Sequence, residues 1–110
     1  MPRAKRIIQG ELNIDEFSLV WRLDHEQIST SDGWKGLSIH VHATGKTRRE
    51  LHLEYPAVGY QRNGWMRIEP ARPTIVASKV EAHIRRAMAE GWDPESRGRP
   101  FVYDVDELPD

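Results

Sequence analysis

The sequence predicts an α+β fold: a mostly antiparallel sheet of five to six strands in a meander, with one long helix packed on one face. Two observations carry this prediction. Apolar and polar residues alternate over much of residues 9–55, which is the period of a strand with one buried face. Between residues 73 and 90 the apolar residues instead recur every three to four positions, which is the period of an amphipathic helix.

Length and composition place limits on the class of protein. The chain has 110 residues, so we expect a single domain over residues 1–110, with 1–5 and 106–110 frayed. Cysteine is absent, which excludes a disulfide framework and thiolate chemistry. The net charge of −1 argues against a protein that neutralises many phosphates, and no apolar run is long enough for a membrane span. These features predict a cytoplasmic protein with no membrane partner.

The first two strands are predicted to form a hairpin that folds around residues 14–17. In this register Leu12 lies opposite Leu19, and Gly10 lies opposite Trp21, where a glycine leaves room for an indole. The Asp-Glu dipeptide at the centre is a poor two-residue turn, so we expect a wider loop.

A second hairpin is indicated by the Asp32-Gly33 dipeptide, which tolerates positive φ at the centre of a turn. This turn would place Ile28 opposite Leu37. The buried positions change from odd to even numbers before Ile28, so a one-residue β-bulge is predicted within residues 24–27.

The next two strands give the clearest alternation. Pairing Val41 with Leu51 and Ile39 with Leu53 buries all four side chains on one face. A helix should follow near residues 73–90 and end at Gly91, with a last strand near 100–105 returning to the sheet. The predicted core residues are Leu12, Leu19, Trp21, Leu23, Ile39, Val41, Leu51, Leu53, Val76, Val80, Ile84, Met88 and Phe101.

Histidines concentrate on the polar side of the same strand pair. His40 and His42 alternate with predicted core residues on one strand, and the neighbouring strand carries Glu50, His52 and Glu54 on the same face. Imidazole and carboxylate groups on one face are a ligand set for zinc or another transition metal. A solvated face is the competing interpretation, because such polar residues are ordinary on a one-sided sheet, and the adjacent Arg48 and Arg49 would oppose a cation.

His83 falls on the buried stripe of the predicted helix, where we expect a core histidine bonded to a backbone carbonyl. The sequence contains no phosphate-binding glycine loop, nucleophile elbow or His-Glu-x-x-His motif. No catalytic residue is therefore predicted, and no cofactor other than a possible zinc ion.

The leading functional prediction is a small binding or regulatory module that acts by protein–protein contact, with another protein or with a second copy of itself. Exposed aromatic residues flanked by arginine dominate the energetics of many interfaces. The predicted interface residues are Trp34, Tyr60, Arg62 and Trp65. The first alternative is a metal-binding protein or small enzyme that uses the histidine face.

Binding of single-stranded nucleic acid is a further alternative. Arginines interleaved with exposed aromatic residues can pair with phosphates and stack on bases. The overall charge is balanced and no helix–turn–helix or RRM-like signature is present, so nucleic acid ranks behind the other partners. The arginines concerned are Arg48, Arg49, Arg62, Arg67, Arg72, Arg97 and Arg99.

Overall fold

The structure, a computed structural model, describes residues 7–30, 33–45, 49–57, 59–61, 68–70 and 74–110. Within these ranges the elements, in chain order, are β1 (Gln9–Ile14), β2 (Phe17–His25), β3 (Ile28–Thr30), β4 (Gly33–Lys35), β5 (Ser38–Ala43), β6 (Leu51–Glu54), β7 (Gly59–Gln61), β8 (Ile68–Pro70), α1 (Ala77–Ala89) and β9 (Phe101–Asp104).

The main sheet has five strands in the order β1-β2-β5-β6-β9. The first three pairs are antiparallel, and β9 lies parallel to β6. A parallel neighbour requires a crossover connection, and α1 lies in the segment that makes it. The strand pairs β3–β4 and β7–β8 form separate two-stranded ribbons. The predicted α+β class is therefore confirmed.

The first hairpin has the predicted register. Gly10 pairs with Trp21 and Leu12 with Leu19. A β-carbon on Gly10 would lie 2.7 Å from the indole nitrogen of Trp21, so the ring occupies the space that glycine leaves. The expected wider loop was wrong: Ile14 pairs with Phe17, which leaves a two-residue turn. Asp15 adopts a φ of 54°, which aspartate tolerates better than most residues.

The predicted β-bulge is confirmed. The β2–β5 register shifts between Leu23 and His25, which pair with Ile39 and Ser38. The predicted second hairpin register was wrong, because Ile28 pairs with Lys35 rather than with Leu37. Two three-residue strands carry too few apolar residues for alternation to specify a register.

The core lies between the sheet and α1. Of the predicted core, Leu19, Trp21, Ile39, Val41, Leu51, Leu53, Val80 and Ile84 are buried, whereas Leu12, Leu23, Met88 and Phe101 are partly buried and pack against them. Val76 is exposed, contrary to prediction. Burial of one large apolar side chain contributes about 1.5–3 kcal/mol. The core also contains residues that were not predicted: Ile14, Leu37, Tyr55, Ile75, Ala87, Trp92 and Val105.

The helix begins later than the predicted position near residue 73. Val76 has extended dihedral angles (φ −101°, ψ 121°) and is the N-cap residue, so α1 starts at Ala77. Its side chain therefore lies outside the helical stripe, which explains its exposure. The predicted end is confirmed: Gly91 has a φ of 122°, and the amide of Trp92 donates to the carbonyl of Ala87. This pattern is a Schellman motif.

The C-terminal segment, which the sequence predicts to fray, lies against the start of α1. The amide of Val76 donates to the carbonyl of Pro109 over 2.7 Å, which satisfies one backbone donor near the start of the helix. Pro109 is buried, and Glu107 reaches His83 on the buried side of α1. Residues 1–5, the other predicted frayed end, lie outside the described residues.

Candidate metal centre on the open face of the sheet

The sheet positions its polar side chains in cross-strand rows on the face away from the core. Arg22 pairs with His40, and His40 pairs with His52, so these side chains are direct neighbours. Successive side chains of a strand point to opposite faces. Each of these three residues has a buried neighbour in the sequence, so its own side chain points away from the core; the buried neighbours are Trp21, Val41 and Leu51. The predicted histidine pairing is confirmed.

Three potential metal ligands converge in this row. Their donor atoms, on His40, Glu50 and His52, all lie within 4.8 Å of one another, and no other such group occurs in the described ranges. The carboxylate oxygen Oε1 of Glu50 lies 2.7 Å from Nε2 of His52 and 3.2 Å from Nδ1 of His40. The two imidazole rings stack in parallel, with centroids 3.7 Å apart.

His40 lies between two carboxylates. Its Nδ1 faces Glu50 at 3.2 Å, and its Nε2 faces Asp24 at 3.4 Å. Burial, followed by repulsion from His52, lowers the pKa of His40 although the carboxylates raise it. A neutral imidazole has one N–H group, so it can donate to only one of the two carboxylates. The other nitrogen then presents a lone pair to a carboxylate oxygen, an arrangement that a cation between them would stabilise.

The carboxylates near the cluster favour a cation, whereas Arg22, the cross-strand neighbour of His40, carries a positive charge on the same face. Glu54, which accepts a hydrogen bond from Ser38 Oγ at 3.1 Å, adds a third carboxylate near His40. Of the two arginines predicted to oppose a cation, Arg48 lies outside the described residues. The opposition predicted from Arg49 does not arise, because its guanidinium donates to the carbonyl of Arg99 and lies over the Phe101 ring. Phe101 pairs with the buried Leu51, which places this guanidinium toward the core face.

His42, the fourth predicted ligand, lies on the same face but outside the converging group. It lines an open concavity of about 390 Å³ beside the cluster, together with Gln9, Val20, Arg22, His40 and Glu50. The structure thus brings three of the four predicted ligands together.

Asp24 is the one member of the site that the sequence did not single out. It lies at the position of the β-bulge, where the register with β5 shifts. Its outward parity, shared with Arg22, was a signal that could have placed it near His40. In metal sites, a carboxylate bonded to the second nitrogen of a ligating histidine fixes the tautomer and orientation of the ring. The carboxylate of Asp24 lies on that side of His40, 3.4 Å from Nε2.

The buried His83 belongs to a second cluster. Its Nδ1 lies 2.9 Å from the hydroxyl of Tyr55, and its Nε2 lies 2.8 Å from Oε1 of Glu107. The expected partner, a backbone carbonyl, was therefore wrong. Burial, followed by the charge of Glu107, raises the pKa of Tyr55, so the phenol stays protonated and donates to His83. The chain of hydrogen bonds joins Tyr55, which directly follows β6, to α1 and the C-terminal segment.

This second cluster predicts a loss of stability in acid. The hydrogen bond from His83, assisted by Arg86, holds the pKa of Glu107 below its ordinary value. Because the pKa of Glu107 is lower in the folded state, its ionised form stabilises the fold. This stabilisation is complete above the unfolded-state pKa of about 4.3 and is lost as the pH falls through the folded-state pKa. We therefore expect Glu107→Gln to flatten the stability profile below about pH 4.5. Urea unfolding of both proteins between pH 3 and pH 7 measures how the free energy of unfolding depends on pH. The same pH dependence in Glu107→Gln and the wild type would contradict a stabilising hydrogen bond from His83 to Glu107.

The described part of the chain does not test the predicted interface residues. Trp34 lies in β4 and Tyr60 in β7, where the backbone alone is described. Arg62 and Trp65 fall outside the described residues, as do Arg48, Arg67 and Arg72 of the predicted nucleic-acid surface. The protein-contact and nucleic-acid hypotheses therefore stay predictions.

The fold and this site define an α+β protein with an open, histidine-bearing sheet face. Comparison with known proteins gives no family model, curated protein or solved structure that matches the chain. Among the described residues, no helix has the length and apolar character needed to cross a membrane.

Proposed function

We propose that this chain binds a divalent transition metal ion, of which zinc is representative, on the open face of its sheet. The ligands are Nδ1 of His40, Nε2 of His52 and the carboxylate of Glu50, and Asp24 orients the His40 ring. The observation that carries the proposal is the convergence of these three donor atoms within 4.8 Å on adjacent strands.

The spacing of the donors supports a tetrahedral site with one open position. Nitrogen and oxygen donors about 2.0–2.1 Å from zinc are roughly 3.3 Å apart in a tetrahedron. The separation of 3.2 Å between His40 Nδ1 and Glu50 Oε1 already fits that edge. The 2.7 Å contact from Glu50 to His52 is a hydrogen bond, and the metal replaces its proton. Binding therefore lengthens this contact and tilts the stacked rings, since a ligating imidazole directs its lone pair within the ring plane.

The protonation state of His40 and the carboxylates near it also support binding of a divalent cation. Desolvation disfavours the protonated form of His40, so a proton competes weakly with a metal for its Nδ1 at neutral pH. Three carboxylates surround the imidazole, from Asp24, Glu50 and Glu54. The open position faces the concavity beside the cluster, where water or a small ligand can complete the coordination shell.

Calorimetric titration with zinc at pH 7.5 tests the proposal. We expect binding near one ion per chain in the wild type. At a free zinc concentration about 100 times the Kd, we also expect stabilisation of roughly 2.7 kcal/mol, a rise in melting temperature on the order of 10 °C. Replacing His52 with alanine should abolish this response, whereas Asp24→Asn should weaken binding by about 10–100-fold because it removes the orienting group.

His42→Ala is the matched control, because it removes a histidine from the same face without removing a proposed ligand. It should retain the wild-type affinity. Absence of zinc binding in the wild type, or equal losses in His42→Ala and His52→Ala, would overturn the proposed site. Lowering the pH from 7.5 to 5.5 should weaken binding in the wild type, because protons then compete for the imidazole nitrogens.

A further inference from the structure

The strand β1 forms one outer edge of the main sheet. Its hydrogen bonds to β2 use the even-numbered residues. Hydrogen-bonded pairs recur at every second residue of an antiparallel pair. Ile14 is such a position because it closes the two-residue turn with Phe17, and Ile8 is another because its carbonyl accepts from the amide of Leu23 at 2.7 Å. The backbone groups of the odd-numbered residues Gln9, Glu11 and Asn13 therefore point away from β2. No strand of the described ranges pairs with this side.

Of the features that usually prevent further pairing, the described edge carries a single charge, Glu11. Outer strands are commonly protected by proline, lysine or a bulge, and residues 9–14, Gln-Gly-Glu-Leu-Asn-Ile, contain neither proline nor lysine and pair with β2 without a register shift. Ile7 and Ile8, which precede the strand, are 52% and 49% exposed. The edge thus carries apolar side chains beside backbone donors and acceptors that no described strand pairs with.

The sequence of this edge is complementary to itself in one antiparallel register. When β1 of one copy pairs with β1 of another, their outward-pointing backbone groups meet only if odd-numbered residues lie opposite odd-numbered residues. Within residues 7–14, two such registers pair seven residues of each copy: one is centred on Gly10 and the other on Glu11. A register centred on Glu11 places two carboxylates directly opposite each other, which is destabilising. A register centred on Gly10 instead places Gln9 opposite Glu11 of the partner subunit, and Ile8 opposite Leu12 of the partner subunit.

We propose that two copies of this chain associate through antiparallel pairing of β1 with β1, in the register centred on Gly10. The occupant of the edge is a second copy because the strand supplies its own complement: an amide opposite a carboxylate and an isoleucine opposite a leucine. The two-fold axis of an antiparallel strand pair is perpendicular to the sheet. Both open faces consequently lie on the same side of one continuous sheet, with the Gln9 edges of the two concavities adjoining.

Charge changes at the edge test the association by sedimentation velocity without added metal. We expect Gln9→Glu to weaken it, because it places two carboxylates opposite each other, and Gln9→Lys to strengthen it. The double variant Gln9→Glu with Glu11→Lys should restore association. Val102→Glu is the matched control: it adds one negative charge at an exposed position of β9, on the opposite edge, and should have no effect.

Disulfide trapping tests the register, since the chain has no cysteine of its own. A mixture of a Gln9→Cys chain and a Glu11→Cys chain should form a crosslinked heterodimer on mild oxidation, and neither chain alone should crosslink efficiently. Efficient crosslinking of Glu11→Cys alone would overturn the register. A wild-type chain that stays monomeric up to about 1 mM, a Kd weaker than that concentration, would overturn the association itself. Circular dichroism and thermal melting confirm that each variant is folded.

Discussion

Replacing Gly36 with alanine is expected to lower the free energy of unfolding by roughly 3 kcal/mol or more. A β-carbon at this position would lie 1.8 Å from the carbonyl oxygen of Tyr55 and 2.8 Å from the carbonyl carbon of Pro56. Both atoms belong to the backbone, so a rotamer change cannot relieve the overlap. The adjacent amide of Tyr55 donates to the carbonyl of Leu37 at 3.1 Å, and displacing either segment would break this bond.

The matched control for this prediction is Gly45→Ala. Gly45 has a φ of 87°, and no atom of the described residues lies within 4 Å of a β-carbon added there, so its substitution is expected to strain the backbone. That strain costs about 1–2 kcal/mol. Chemical denaturation of both variants measures the difference. A Gly36→Ala variant no less stable than Gly45→Ala would show that the two segments do not approach as closely as described.

The second large effect is expected for His83→Ala, at about 3 kcal/mol of lost stability. The substitution leaves a cavity in the core and removes the partner of the Tyr55 hydroxyl, which is buried in the folded chain. It also removes the 2.8 Å hydrogen bond from His83 to Glu107, which holds the C-terminal segment against α1.

Tyr55→Phe separates the two components of this loss. It keeps the imidazole and the contact with Glu107 but removes the phenol hydroxyl, so His83 Nδ1 loses its partner. We expect a smaller cost of about 1–2 kcal/mol, because one buried acceptor is left unpaired. Thermal and urea unfolding measure both variants. Equal stability of His83→Ala and the wild type would contradict a structural role for this buried cluster.

The alternation of apolar and polar residues in the sequence predicted the strand pairings in which one face of the sheet is buried. The Gly10–Trp21 and His40–His52 pairs follow from it, because a one-residue slip would move every apolar side chain to the solvent face. The bulge before residue 28 followed from the same rule, since the change of parity required an extra residue. Three of the four predicted metal ligands converge for this reason.

The remaining features depend on contacts that no local pattern encodes. Tyr55 and His83 are separated by 28 residues, and His83 and Glu107 by 24, so only the packing of helix and tail brings them together. The loop after β1 was predicted to be wider because two-residue turns favour glycine or asparagine. The structure has a two-residue turn because Asp15, a non-glycine residue, adopts positive φ there. The β3–β4 register could not be predicted because each strand has only three residues, too few for an alternating apolar pattern in the sequence to specify a pairing.

The most direct test of the metal proposal is the visible absorption spectrum of the chain titrated with Co²⁺ at pH 7.5. Four-coordinate Co²⁺ absorbs far more strongly in its d–d bands than the six-coordinate aqueous ion. A ligand set of His40, Glu50 and His52 with one open position should give intense bands in the wild type and in His42→Ala, and added zinc should remove them. A wild-type spectrum identical to aqueous Co²⁺, or bands that survive in His52→Ala, would contradict the site.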